Sequence, residues 1–187
     1  MNKYLEVKPV AFTYNKLKTL SKEDFENNNY YVTEKADGIT ALLYVNTDNK
    51  VYIITRNLDK VIYTGYSCNY INTIIDGEYI SEYNKNDILL DTEEKPHSKE
   101  YIFKYLAFDI YYYEGAEVYK SSFRDRLELL NSLEFKSELD LLIDFNIKEY
   151  YLPNEGIPKI IEKDTNREFS YNIDGFIFQP NDAYTKL

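Results

Sequence analysis

The apolar positions change period partway along the chain. In the first half they fall in short β-branched and aromatic runs: Tyr30–Thr33, Thr40–Val45, Val51–Thr55, Val61–Tyr63, and Thr73–Ile75 continuing through Asp76-Gly77-Glu78 to Ile80. Runs of this kind, bounded by Asn, Asp and Gly, predict antiparallel strands. Ala36-Asp37-Gly38 and Asn57-Leu58-Asp59 read as turns, and Gly77 marks a place where the backbone bulges or is closely approached. A polar stretch with Pro96, Glu82 to Lys99, predicts an exposed loop. After it, Tyr101 to Tyr113 predicts one long buried strand ending at Glu114-Gly115.

Beyond residue 120 the spacing becomes helical. Ser121-Ser122 can cap a helix whose Phe123, Leu127, Leu130 and Leu133 share one face, with Arg124 and Arg126 read as its solvated side. Asn154 to Lys163 predicts a short helix with Pro158 in its first turn or so. Ile173–Phe178 predicts a last strand, whereas Leu139 to Tyr151 is mixed and yields no firm element. The sum is an α+β domain: antiparallel sheet with a few helices packed on it. No repeat or linker divides the chain, so residues 1–187 are expected to be one domain.

Composition narrows the function classes. A net charge of −10 argues against a broad basic face that grips long nucleic acid, but leaves room for a small phosphate pocket with a few local cations. The 21 tyrosines read first as the bias of an AT-rich coding sequence and second as material for base-stacking surfaces. One cysteine (Cys68) and one histidine (His97) exclude an internal disulfide framework and a standard zinc site. No apolar run approaches the roughly 18–20 residues that span a bilayer, and the amino terminus has no signal-peptide layout. The expectation is a reducing, cytoplasmic setting with no membrane.

Lys35-Ala36-Asp37-Gly38, between two strands, is the first candidate for chemistry. A deprotonated lysine can attack phosphorus to give a phosphoramidate, and burial or a neighbouring cation lowers its pKa toward that state. Gly38 lets the backbone come close to phosphate oxygens. The same four residues also suit a plain hairpin turn with an exposed lysine. What gives them weight is the order that follows: Thr55-Arg56-Asn57, Asp76-Gly77-Glu78, Phe108-Asp109 and Ile173-Asp174-Gly175-Phe176-Ile177-Phe178. Asp109 and Asp174 lie in or beside apolar strands, where a carboxylate needs a cation such as a metal–triphosphate complex supplies.

This ordered set, from about Tyr30 to Gln179, resembles the covalent nucleotidyltransferase superfamily of mRNA capping enzymes and ATP-dependent DNA and RNA ligases. The resemblance implies an antiparallel-sheet, ATP-grasp-like nucleotidyltransferase core without the family's C-terminal oligonucleotide-binding fold. It implies Lys35 as the nucleophile that carries the nucleotide, with Asp37 and Gly38 beside it in the first motif. Arg56 is then a ribose or phosphate contact, Glu78 a ribose contact and metal holder, and Phe108 the ring stacked on the purine. Asp174 lies near the phosphates and the metal, with Mg²⁺ or Mn²⁺ held by Glu78 and Asp174 through the triphosphate. Asp174-Gly175 has the capping-enzyme form where ligases tend to have Glu-Gly, so the implied substrates are GTP and 5′-diphosphate RNA.

Two departures stand out. Thr40 occupies the place of a frequent arginine, which shifts ribose contact onto Arg56. The chain reaches Lys186-Leu187 where the lysine-rich fifth motif is expected to begin, so it is expected to be a piece of a larger polypeptide and slow or inactive alone. The implied whole is a guanylyltransferase working with RNA triphosphatase and cap methyltransferase domains or subunits. A large cytoplasmic DNA virus is the expected source, and its viral factory or virion the expected site. An ATP-dependent ligase core is the alternative within the superfamily, and a catalytically inactive scaffold of the same fold the alternative outside it.

Overall fold

The computed structural model describes residues 29–55, 60–81, 103–137 and 143–184. Arg56, the Asn57-Leu58-Asp59 turn, the Glu82–Lys99 loop, His97 and Lys186 lie outside the described residues. The strands are β1 (Tyr30–Ala36), β2 (Ile39–Val45), β3 (Lys50–Thr55), β4 (Val61–Cys68), β5 (Thr73–Ser81), β6 (Phe103–Tyr113), β7 (Ala116–Glu117), β8 (Phe135–Ser137), β9 (Ile143–Ile147) and β10 (Ile173–Pro180). Two α-helices accompany them among the described residues, α1 (Phe123–Asn131) and α2 (Pro153–Thr165).

The strands form two sheets. β1 and β10 pair alone, while the larger sheet runs β7-β6-β5-β2-β3-β4-β8, with β9 added in parallel to β6. Lys35 is therefore not on a hairpin. β1 and β2 flank Asp37-Gly38 but belong to different sheets, so the chain passes from one sheet to the other at these two residues.

Alternation on the larger sheet puts Ala41, Leu43, Val45, Val51, Ile53 and Ile75 on the buried face. Each such aliphatic side chain contributes about 1.5–3 kcal/mol by leaving water. Tyr105 is fully buried with them; its hydroxyl donates to the Ala41 carbonyl at 2.8 Å. Its ring lies where a Cβ on Gly77 would stand, 2.4 Å from Cζ, which accounts for the glycine inside β5.

α1 packs on β6 and α2 on β1. The Ser122 hydroxyl caps α1 by accepting from the Asp125 amide at 3.2 Å. α2 starts at Pro153, where a missing N–H costs nothing, and Pro158 falls inside the helix rather than in its first turn. The mixed stretch after residue 138 contains β9, where Ile143, Phe145 and Ile147 alternate with polar residues. No described helix is long and apolar enough to cross a membrane.

The solvated-face reading of Arg126 is overturned. Arg126 is fully buried, its Nε donating to Asp109 Oδ1 at 2.8 Å and its Nη2 to Asp109 Oδ2 at 3.0 Å. Nη1 donates to the carbonyls of Ser121 (2.7 Å) and Asp182 (3.1 Å). Burial works against the guanidinium charge, but the Asp109 bonds and charge outweigh it and raise its pKa. The cation that Asp109 needs is thus a side chain of the same chain, not a metal–triphosphate complex. Arg124, by contrast, is exposed as expected, pairing with Glu128 at 3.2 Å.

Candidate active site

Lys35 sits near the end of β1, opposite a bulge. Glu34 pairs with Phe176 and Ala36 with Ile173, so one residue of β1 faces two of β10, Asp174 and Gly175. Gly175 takes φ +132°, a conformation that side chains rarely adopt, and no atom crowds it. The bulge turns Asp174 toward Lys35, and Lys35 Nζ donates to Asp174 Oδ2 at 2.8 Å, both side chains about half exposed.

The consequence for Lys35 runs against the expectation of a lowered pKa. The hydrogen bond from Lys35 to Asp174, with the charges of Asp174, Asp37 and Glu78, raises it despite slight burial. The pairing with Asp174 favours the ammonium form of Lys35. The sign yields a test: Asp174→Asn should lower the Lys35 pKa. The pH profile of Lys35 acylation by an amine-selective reagent, followed by mass spectrometry, should then move to lower pH. An unmoved profile would mean that the pair does not govern the lysine.

Across the cleft the larger sheet supplies the rest. Thr40 and Glu78 stand opposite one another on β2 and β5 and approach to 3.5 Å. A Cβ on Gly38 would come within 2.7 Å of Glu78 Cγ, so the glycine lets the loop pass directly over that carboxylate's stem.

β6 has two bulges against β5. Asp76 and Gly77 face Asp109 and Ala107, leaving Phe108 as the extra residue; Ile74 and Ile75 face Tyr112 and Ile110, leaving Tyr111. Both extra aromatics line the cleft.

Lys35, Asp37, Gly38, Glu78 and Phe108 line one hollow of about 240 Å³, and Asp174 reaches it through Lys35. Its lining also includes residues that the sequence did not single out, Tyr111, Lys148, Tyr150 and Tyr184 among them. Lys148 follows β9 and extends the ladder, its amide donating to the Ala107 carbonyl at 2.8 Å. Its almost wholly buried ammonium donates to the Glu34 carbonyl at 2.9 Å and lies 5.9 Å from the centre of the Phe108 ring. Burial lowers the Lys148 pKa, partly countered by the Glu34 carboxylate.

Tyr150 donates to the Phe108 carbonyl at 3.1 Å, and Tyr111 to Asp76 Oδ2. Tyr184 donates to Asp109 Oδ2 at 2.7 Å and lays its ring 4.3 Å from the Arg126 guanidinium carbon. Burial pushes the hydroxyls of Tyr111, Tyr150 and Tyr184 upward, so they act as neutral donors. A second hollow of about 290 Å³ behind Glu34 is lined by Lys104, Lys163, Glu149 and Glu168. The cleft at Lys35 is distinguished by chemistry rather than size.

A candidate lysine nucleophile paired with a carboxylate across a bulge, and an aromatic lining the same hollow, fit covalent nucleotide transfer. The model of the mRNA capping enzyme catalytic domain matches residues 2–186. The chain belongs to the mRNA capping enzyme family.

Capping enzymes of African swine fever virus are similar to it. That of isolate Pig/Kenya/KEN-50/1950 is 28% identical over 182 residues, and that of isolate Tick/South Africa/Pretoriuskop Pr4/1996 is 27% identical over 182 residues. Each match covers 90% of this chain but 18% of the relative, so the chain spans under a fifth of the length of these capping enzymes.

Solved structures with the same fold include a mycobacterial DNA ligase D complexed with ATP and MES. It has a TM-score of 0.53 at 15% identity, over 84% of this chain and 50% of that one. A Lig E DNA ligase gives 0.54 at 19% identity, over 98% of this chain and 65% of that one. The capping-enzyme chain therefore has the antiparallel nucleotidyltransferase core that ligases also use.

Proposed function

We propose that this domain is a guanylyltransferase that moves GMP from GTP to the 5′-diphosphate end of RNA, with Lys35 as the covalent carrier. The observation that carries the proposal is the gathering of Lys35 from one sheet with Glu78 and Phe108 from the other in the lining of a single hollow. A purine on Phe108 and a ribose near Glu78 and Thr40 would direct the phosphates toward Lys35. Arg56 is proposed as a further ribose or phosphate contact on the chain after β3.

In the first step Lys35, freed from Asp174 and having lost a proton, forms an N–P bond at the α-phosphorus. The bond to the bridging oxygen breaks and pyrophosphate leaves. In the second, a terminal phosphate oxygen of the RNA attacks the same phosphorus, the N–P bond breaks and the amine regains a proton. Asp37 and Gly38 border the reacting phosphate.

The described residues hold no cluster of three potential metal ligands. That suits an ion held by one or two carboxylates and mostly by phosphates and water. Glu78 and Asp174 are the residues that would hold Mg²⁺ or Mn²⁺, which supplies charge neutralisation at the triphosphate.

Lys148 supports GTP over ATP. Its buried ammonium beside Phe108 is a donor, and it complements an acceptor such as the guanine O6 better than the amino group adenine presents there. The 18% coverage of the viral relatives supports a domain of a longer polypeptide, with triphosphatase and methyltransferase functions on other domains or subunits. A viral setting fits those relatives, and its cytoplasmic placement is part of the proposal.

The deciding experiment incubates that polypeptide with α-labelled GTP or ATP and maps the label. A label on Lys35 from GTP is expected. A label from ATP alone would make it a ligase, and no label from either would make it an inactive scaffold.

A further inference from the structure

The cleft-side face of the larger sheet carries more aromatic surface than one nucleotide uses. Strand pairing aligns five residues in a row across it. Tyr112 stands opposite Ile74, Ile74 opposite Tyr44, Tyr44 opposite Tyr52, and Tyr52 opposite Tyr63. Side chains two apart share a face, so Tyr44 lies on the side of Thr40, and Ile74 on the side of Asp76 and Glu78. The row shares its sheet face with Thr40, Asp76 and Glu78 of the nucleotide hollow. It lies four residues along β2 from Thr40, about 13 Å at the usual strand rise.

Between row and hollow is a second aligned set, Leu42, Ile54 and Val61. Val61 is 62% exposed and Tyr63 is 39% exposed. The rings of Tyr52 and Tyr63 are 5.4 Å apart, and Lys50 Nζ lies 5.8 Å from the Tyr63 ring centre.

We propose that this row is a stacking platform for the first bases of a single-stranded RNA whose 5′ end is presented to Lys35. The proposal rests on the reading of the site as a guanylyltransferase, since that reaction needs a second substrate to reach the lysine from the open side of the cleft. Three features select RNA as the occupant. The row shares its face with the nucleotide hollow, at a distance that the leading nucleotides can span. Tyrosine faces accept any base, as required of an enzyme acting on transcripts of varied sequence. Lys50 beside the Tyr63 ring supplies a local cation for the strand's backbone on a chain whose net charge of −10 otherwise opposes it.

The test measures binding of a 3′-labelled, 5′-diphosphate oligoribonucleotide to the 187-residue chain by fluorescence anisotropy. It compares Tyr52→Leu, Tyr63→Leu and their double variant with the corresponding Tyr→Phe variants. Leu keeps apolar cover but removes the ring; Phe keeps the ring. Affinity is expected to fall roughly tenfold for each ring lost, with Phe variants near wild type.

Duplex RNA of the same sequence should bind more weakly than the single strand. Leu variants that bind like wild type would overturn the platform. So would a wild-type chain that fails to bind single-stranded RNA, or Phe variants as weak as Leu. Lys35 labelling by GTP, measured on the same variants in the longer polypeptide, separates the two ideas. Its absence everywhere would remove the guanylyltransferase reading, whereas intact labelling with unchanged RNA binding would remove the platform alone.

Discussion

Lys35→Arg is expected to abolish covalent nucleotide transfer while leaving the fold intact. Arginine keeps the positive charge opposite Asp174, but its guanidinium does not give up a proton at any pH the protein tolerates, so it cannot attack phosphorus. Loss of a nucleophile costs at least about 10³-fold in rate. The ion pair it replaces is half exposed, and such pairs contribute at most about 1 kcal/mol, so unfolding should barely change.

Labelled GTP followed by denaturing electrophoresis reads the first effect, and urea denaturation the second. The competitor within the cleft is Lys148, a lysine whose pKa burial does lower. Its ammonium is held on the Glu34 carbonyl and is almost wholly buried, whereas the Lys35 side chain is about half exposed. Label retained by the Lys35→Arg variant and mapped to Lys148 would reverse the assignment.

Arg126→Ala is expected to give the largest loss of stability. It would leave the Asp109 carboxylate buried without its cation and the Ser121 and Asp182 carbonyls without a donor. Breaking a buried pair in this way costs about 3–5 kcal/mol, which for a chain of this length lowers the melting temperature by roughly 10 °C.

The same deletion removes the surface on which the Tyr184 ring lies, so one wall of the nucleotide hollow should loosen as well. Differential scanning calorimetry with and without GTP separates the two losses. A melting temperature within a degree or so of wild type would mean that the network is ornamental.

Sequence and structure agree where a functional residue sits in a short motif within an apolar strand. Lys35, Glu78, Phe108 and Asp174, each singled out from such a motif, are brought together around one cleft, and most strands of the larger sheet lie where their apolar runs put them. Arg126 carried a readable signal that the solvated-face reading passed over. It lies three residues after Phe123 and four before Leu130, on the same helical face as both.

Lys148 gave no such signal. Its place depends on β9 joining β6 in parallel, a pairing between distant segments that local periodicity does not encode. Tyr111 was hidden by the bulges, because each extra residue in β6 shifts the two-residue alternation by one. Tyr184 reaches the hollow only because the chain after β10 folds back over Arg126.

The division of the site between two sheets has an enzymological consequence. Lys35 and Asp174 ride on the two-stranded sheet, while Thr40, Glu78 and Phe108 ride on the larger one. In the proposed reaction the binding contacts and the reacting nitrogen are thus mounted on separate jaws, with Asp37-Gly38 on the chain between them. Changes that tighten the grip of the larger jaw on base and ribose act on the bound substrate and the transition state alike, and so lower KM. Changes in how closely the jaws approach set the distance from nitrogen to phosphorus, and so appear in kcat.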